Sequence, residues 1–163
     1  MNSGILVIGI GNEFRSDDGL GLYAARELKR RGCSGVTVIE HPGEGSSLHE
    51  AWQGCGCAML IDAVSSGDTP GSVHRVDCHR DPVPHSLFRS SSHTFGVSEA
   101  IALGRTLGSL PGVLLLYGVE GRTFEPGRGL SEAVVRGIPG LIARIEEDIA
   151  DLTHRTQPAG GYA

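Results

Sequence analysis

Apolar residues fall along the chain in short blocks whose period changes from one to the next. Ile5–Ile8 is an unbroken aliphatic run that leads into Gly9-Ile10-Gly11-Asn12, the pattern of a buried first strand ended by a tight loop. After the polar segment 13–18 the period becomes helical, with Leu20, Tyr23, Ala24, Glu27 and Leu28 at the expected spacing. Lys29, Arg30 and Arg31 suit the negative end of that helix's dipole, and Gly32 supplies its stop. Val36–Ile39 predicts a second short strand closed by Glu40, and His41-Pro42-Gly43-Glu44-Gly45 predicts a loop. Ser46 or Ser47 is expected to cap a short helix reaching Trp52, with Glu50 three residues after Ser47 as in a capping box. Ala58–Ile61 is a third strand, with Asp62 at its carboxyl end.

The second half continues the alternation. Segment 63–71 is too short for a helical crossover, which takes about a dozen residues or more, so Ser72–Asp77 is expected to be an antiparallel edge strand. Cys78–Ser92 is a long polar loop without periodicity, and loops of that length in a compact domain tend to be functional or disordered. His93 is expected to open the next helix, on which Val97, Ala100, Ile101, Gly104 and Leu107 share a face. Val113–Val119 reads as a strand buried on both faces, followed by a Gly/Pro loop over 120–128. Ser131 is expected to cap a last helix whose stripe is Val134, Val135, Ile138, Leu141, Ile142, Ile145 and Ile149. Pro139 inside it should bend or restart that helix, and Thr153–Ala163 reads as a frayed tail. Strands alternating with helices predict an α/β domain built on a mostly parallel sheet.

Composition narrows the class. The 163 residues suit one domain, and with 39% apolar but only 5% aromatic residues the core must be aliphatic. A net charge of −5 without a basic cluster argues against a nucleic-acid partner. No apolar run reaches membrane-spanning length, and Met1 leads almost directly into strand rather than into a signal peptide, so a cytoplasmic protein is expected. Cys55 and Cys57 form a C-x-C without a second pair, and with Cys33 and Cys78 they read as free thiols rather than as a zinc knuckle.

The candidate chemistry lies where strands end. In open parallel sheets ligands bind at the carboxyl ends of the strands, and the loop after the first strand carries Asp17 and Asp18 to that edge. A dinucleotide-binding loop is the obvious rival, with two glycines present and Glu40 closing the second strand. Phe14 occupies the third glycine position, however, and two carboxylates stand where a pyrophosphate would sit. Such a turn suits a cation. Asp18, Asp62 and His93 come to one edge of the sheet, and two carboxylates with one imidazole form an open ligand set for nickel or zinc. Each has an ordinary structural alternative: Asp17 and Asp18 as helix caps, Asp62 as a turn cap, and His93 as a residue that merely leads into a helix. No H-E-x-x-H or G-x-S-x-G supports a zincin or serine-hydrolase route.

Four segments, GIGNEFRSDDGLG, LIDAV, SSHTFGVSEA and YGVEGRTFEPGRGLSEAV, resemble in order the [NiFe]-hydrogenase maturation endopeptidases, over about Ile5 to Ile149. The resemblance implies a single-domain three-layer sandwich, with a five-stranded twisted, mostly parallel sheet between helices, over residues 1–153, and a flexible tail over 154–163. It implies a monomeric cytoplasmic enzyme that removes a C-terminal peptide from the nickel-loaded hydrogenase large-subunit precursor. The metal and catalytic residues carried over are Asp18, Asp62 and His93. Nickel would be supplied by the precursor, with no organic cofactor, no nucleic acid and no membrane insertion. The family often has Glu where Asp18 stands, and an Asp-Gly-Gly-Thr-like loop where this chain has Glu40-His41-Pro42-Gly43-Glu44-Gly45, a region expected to help recognise the substrate. Asp17 or Glu44 is a candidate for positioning the attacking water. Two other classes remain open from sequence: a module that binds the precursor without cutting it, and a nucleotide-dependent enzyme.

Overall fold

The structure, a computed structural model, describes residues 2–88 and 93–156. The strands are β1 (Asn2–Ile10), β2 (Val36–His41), β3 (Cys55–Val64), β4 (Val73–Asp77) and β5 (Val113–Glu120). The helices are α1 (Leu20–Arg31), α2 (Gly45–Ala51), α3 (Val97–Leu107) and α4 (Glu132–Thr156), with 3-10 turns at Ser16–Gly19 and His85–Phe88. One sheet orders the strands β2-β1-β3-β5-β4. All neighbours are parallel except β4 and β5, where His74 faces Gly118 in an antiparallel edge pair.

The period of two along the strands divides the core into two layers. Val7, Met59, Ile61, Leu115 and Tyr117 face α1 and α4, whereas Ile8, Leu60, Leu114 and Leu116 face α2 and α3. Burying both faces explains why β1, β3 and β5 are continuous apolar runs rather than alternating ones. The single α/β domain with a sheet between two helical layers is therefore the architecture expected from the pattern.

The close approach of α1 to the sheet depends on two glycines. A Cβ on Gly9 would lie 2.2 Å from the Gly21 carbonyl, and one on Gly21 would lie 2.2 Å from the Ile10 carbonyl and 2.5 Å from that of Ile61. Backbone-to-backbone packing, not phosphate binding, accounts for these positions. The order of the strands places a switch point between β1 and β3, because the chain leaves β1 in one direction and returns past it to add β3 on the other side.

Several element ends differ from expectation. β3 runs two residues past Asp62 to Val64, where pairing with β5 continues to Glu120. α3 begins at Val97 rather than His93: Glu99 turns back to accept from the Gly96 N–H at 3.0 Å and fixes the start there. α2 is capped by Glu44, whose carboxylate accepts from the N–H groups of Ser46 and Ser47, each at 2.9 Å. Pro139 does not interrupt α4, which is helical through Thr156 and so takes in the first residues expected to be tail; the segment 157–163 lies outside the described residues. Tyr23, Leu107 and Val135, placed on buried stripes by spacing, are exposed.

Candidate active site

The loops at the carboxyl ends of β1, β2 and β3 surround a cavity of about 360 Å³, whose polar lining includes Asp18, Asp62 and His93. Ile10, Leu22, Phe88 and Val97 supply its apolar wall. The three residues singled out from sequence therefore share one cavity. They line it without closing on a common point: among the described residues no three His, Cys, Asp or Glu side chains are gathered into a ready-made metal cage.

Each arrives by a different local device. The β1–β3 pairing ends at Gly9 opposite Ile61, so Asp62 is the first residue of β3 beyond its last β1 partner. Counting in twos from Leu60, it lies on the α3 side of the sheet. One of its oxygens accepts from the Ala63 N–H at 2.8 Å, and the side chain is buried. Asp18 belongs to the 3-10 turn that precedes α1, and its carbonyl accepts from the Asn12 N–H at 3.3 Å. His93 lies in the loop ahead of α3, where its Nε2 is 3.0 Å from the Pro42 carbonyl. A carbonyl only accepts, so Nε2 is the donor in this contact.

The electrostatics favour a cation. Burial pushes Asp62 well above the ordinary carboxylate range, and the charge on Asp18 pushes it further. Asp18 is also raised, by burial, against the opposing pull of Arg15, the Asn12 backbone and His93. Two desolvated carboxylates that repel each other would be relieved by a cation placed between them and would repel a phosphate. Glu40, the acid in the position a ribose would require, is paired with Arg26 at 2.8 Å instead.

The adjacent acids have opposite orientations. Asp17 does not cap a helix. It is fully buried, and its carboxylate accepts from Arg122 N–H (2.8 Å), Thr123 N–H (3.1 Å), Ser131 N–H (2.7 Å) and Ser131 Oγ (2.8 Å). Ser131 thus directs its hydroxyl to Asp17 rather than to its own helix. With its oxygens committed in this way Asp17 does not position water, and Glu44 is occupied as the α2 cap. The Asp17 contacts bind the 121–131 loop to the loop that presents Asp18, and Ser16 completes the seam through its N–H to Gly127 and its hydroxyl to Glu125. On the opposite rim the Gly45 N–H donates to the Phe95 carbonyl at 2.8 Å, joining the β2 loop to the His93 loop. Phe88 and this double seam had no sequence signal beyond a lone aromatic and a Gly/Pro-rich stretch.

The sequence model for the family described as hydrogenase maturation protease (HycI) matches residues 22–148. The chain belongs to the hydrogenase maturation protease family. The hydrogenase expression/formation protein HupD of Thiocapsa roseopersicina is 36% identical over 174 residues, covering 95% of this chain and 78% of that protein. HoxM of Azotobacter vinelandii is 33% identical over 80% of the chain, which spans 64% of that relative's length. The hydrogenase-maturating endopeptidase HybD of Escherichia coli shares the fold at a TM-score of 0.74, with 23% identity over 91% of this chain and 93% of that one. Membership in the hydrogenase maturation protease family makes this chain a peptidase of hydrogenase maturation, and the cavity at the β1–β3 switch point is where its chemistry is sought.

Proposed function

We propose that this hydrogenase maturation protease removes a C-terminal peptide from a nickel-loaded [NiFe]-hydrogenase large-subunit precursor, with Asp18, Asp62 and His93 receiving the precursor's nickel. The observation that carries this reading is the shared cavity: two carboxylates raised by burial, with Asp62 raised further by Asp18, and an imidazole, all lining one cleft at the switch point. Their open arrangement suits a metal that arrives with the substrate. The protein's own part is to hold these donors around the cleft and to exclude water with Ile10, Leu22, Phe88 and Val97. Nickel held there would act as a Lewis acid on the scissile carbonyl or on an attacking water.

The compartment and partners follow the same reading. Cys33, Cys55, Cys57 and Cys78 are all free thiols, in keeping with the reducing cytoplasm. No described helix is long and apolar enough to cross a membrane. The substrate is the precursor itself, met by a monomer.

Incubation with nickel-loaded precursor tests the proposal by intact mass. Loss of a C-terminal fragment that requires nickel, and that disappears in Asp18→Asn, Asp62→Asn and His93→Ala, is the expected result. Binding without any mass loss would make the protein a recognition module. Cleavage undiminished in all three variants would remove them from the site.

A further inference from the structure

Phe14 is 58% exposed and lines the mouth of the active-site cavity, with the Arg128 guanidinium stacked over its ring at 4.7 Å from the centroid. We infer that this stacked pair is a docking surface for the precursor, taking an apolar side chain on Phe14 and a carboxylate on Arg128 next to the scissile segment. The inference rests on the proposed reaction and concerns how its substrate is recognised.

A single exposed aromatic residue is unremarkable by itself, because soluble proteins expose many apolar side chains. What distinguishes Phe14 is that its backbone is held at both ends. Its N–H donates to Asn12 Oδ1 at 3.0 Å and its carbonyl accepts from the Gly127 N–H at 2.9 Å. Arg15 then bridges to Gly127, and Ser16 takes a left-handed φ of +54°, which costs a non-glycine residue energy. The ring is thereby kept outside the core. A rigid aromatic anchor that loses little freedom on binding is the kind of residue that dominates interfaces.

Arg128 completes the chemistry. Among the described residues its guanidinium makes no hydrogen bond or ion pair; it stacks on Phe14 and attracts Glu13 through space. Glu13 itself is paired with Arg26 at 3.2 Å. The N–H fork of Arg128 therefore retains donors for a carboxylate, held in plane by the ring beneath it. Both residues sit on the loops stitched together by Asp17, the same seam that positions Asp18. Docking on the pair thus sets the substrate relative to the acid.

The test is to measure precursor affinity and turnover for Phe14→Ala, Arg128→Ala and the double variant, with Leu107→Ala as an exposed control at the far end of α3. Each single variant is expected to weaken precursor binding and raise KM about tenfold, a hot-spot-sized loss, with kcat within about twofold. The double variant should lose less than the product of the singles, because the two side chains act together. Melting temperatures should stay near that of the unmodified protein. Unchanged affinity and KM in a protein that still cuts would overturn the docking surface and leave the protease reading standing. Weakened binding in the variants of a protein that binds but never cuts would support the surface and overturn the protease reading. A protein that neither binds nor cuts the precursor overturns both.

Discussion

At the scale of single residues, the adjacent acids divide structure from chemistry. Asp17 faces inward to four donors and holds two loops together; Asp18 faces the cavity. Asp17→Asn turns an amide N–H₂ toward backbone N–H groups that need an acceptor, so unfolding free energy should fall by about 2–3 kcal/mol in a urea titration. The modest loss that a simple helix cap would give is no longer expected. Asp62 behaves in the opposite way. Its native pKa is raised above the unfolded value, so between those two values the folded state binds more protons, and stability declines as pH rises through that window. Above the native pKa the full penalty is present, and part of it is present at any pH above the unfolded value. Asp62→Asn should therefore raise the melting temperature at pH 7.5 while abolishing cleavage, and the gain should vanish as pH approaches ~3.9, the ordinary carboxyl value. A variant that melts lower than the parent at pH 7.5 would contradict the burial cost assigned to this acid.

At the scale of elements, the sequence was most legible where packing enforces a period. The aliphatic runs of β1, β3 and β5 are continuous because both faces are covered, and the short link before β4 dictated an antiparallel edge. Element ends were less legible because they depend on contacts between distant segments. His93 lies ahead of α3 because Glu99 returns to the Gly96 N–H, and Glu44, by accepting from the Ser46 and Ser47 N–H groups, takes the capping role expected of the Ser46 or Ser47 side chain. Tyr23, Leu107 and Val135 fit helical spacing but sit at the margins of their stripes, where one residue's rotation decides exposure. The two rims of the cavity were invisible for the same reason. Gly45 illustrates this: a Cβ there would stand 2.1 Å from the Phe95 ring and 2.9 Å from the Gly96 carbonyl. Gly45→Ala should push the His93 loop away from the β2 loop, reducing precursor turnover at least tenfold, about 1.4 kcal/mol in transition-state terms. The effect is checked by steady-state cleavage and by circular dichroism, which should show the helices intact.

At the scale of the whole molecule, the far edge of the sheet is fastened to α4 by a buried polar cluster. Asp148 accepts two bonds from Arg75 of β4, at 2.7 and 3.1 Å, and a third from the Tyr117 hydroxyl of β5. Burial pushes Asp148 upward, but those hydrogen bonds and the charges of Arg75 and Arg144 hold it below the usual range. Its stabilising contribution is present above the unfolded pKa and is lost as pH falls through the native one. Asp148→Asn should cost about 2–3 kcal/mol near neutrality, roughly 5–10 °C in melting temperature, with little change in turnover at temperatures below the transition. This fastening lies at the β4–β5–α4 edge of the sheet, away from the β1–β3 switch point. The central claim concerns the switch point, and nickel-edge X-ray absorption tests it most directly, on nickel-loaded precursor alone and in complex with the protease. Complex formation should add nitrogen and oxygen scatterers around nickel, including the outer-shell signature of one imidazole, and His93→Ala should remove that signature. A nickel spectrum unchanged by a protease that binds and cleaves the precursor would show that Asp18, Asp62 and His93 do not receive the metal.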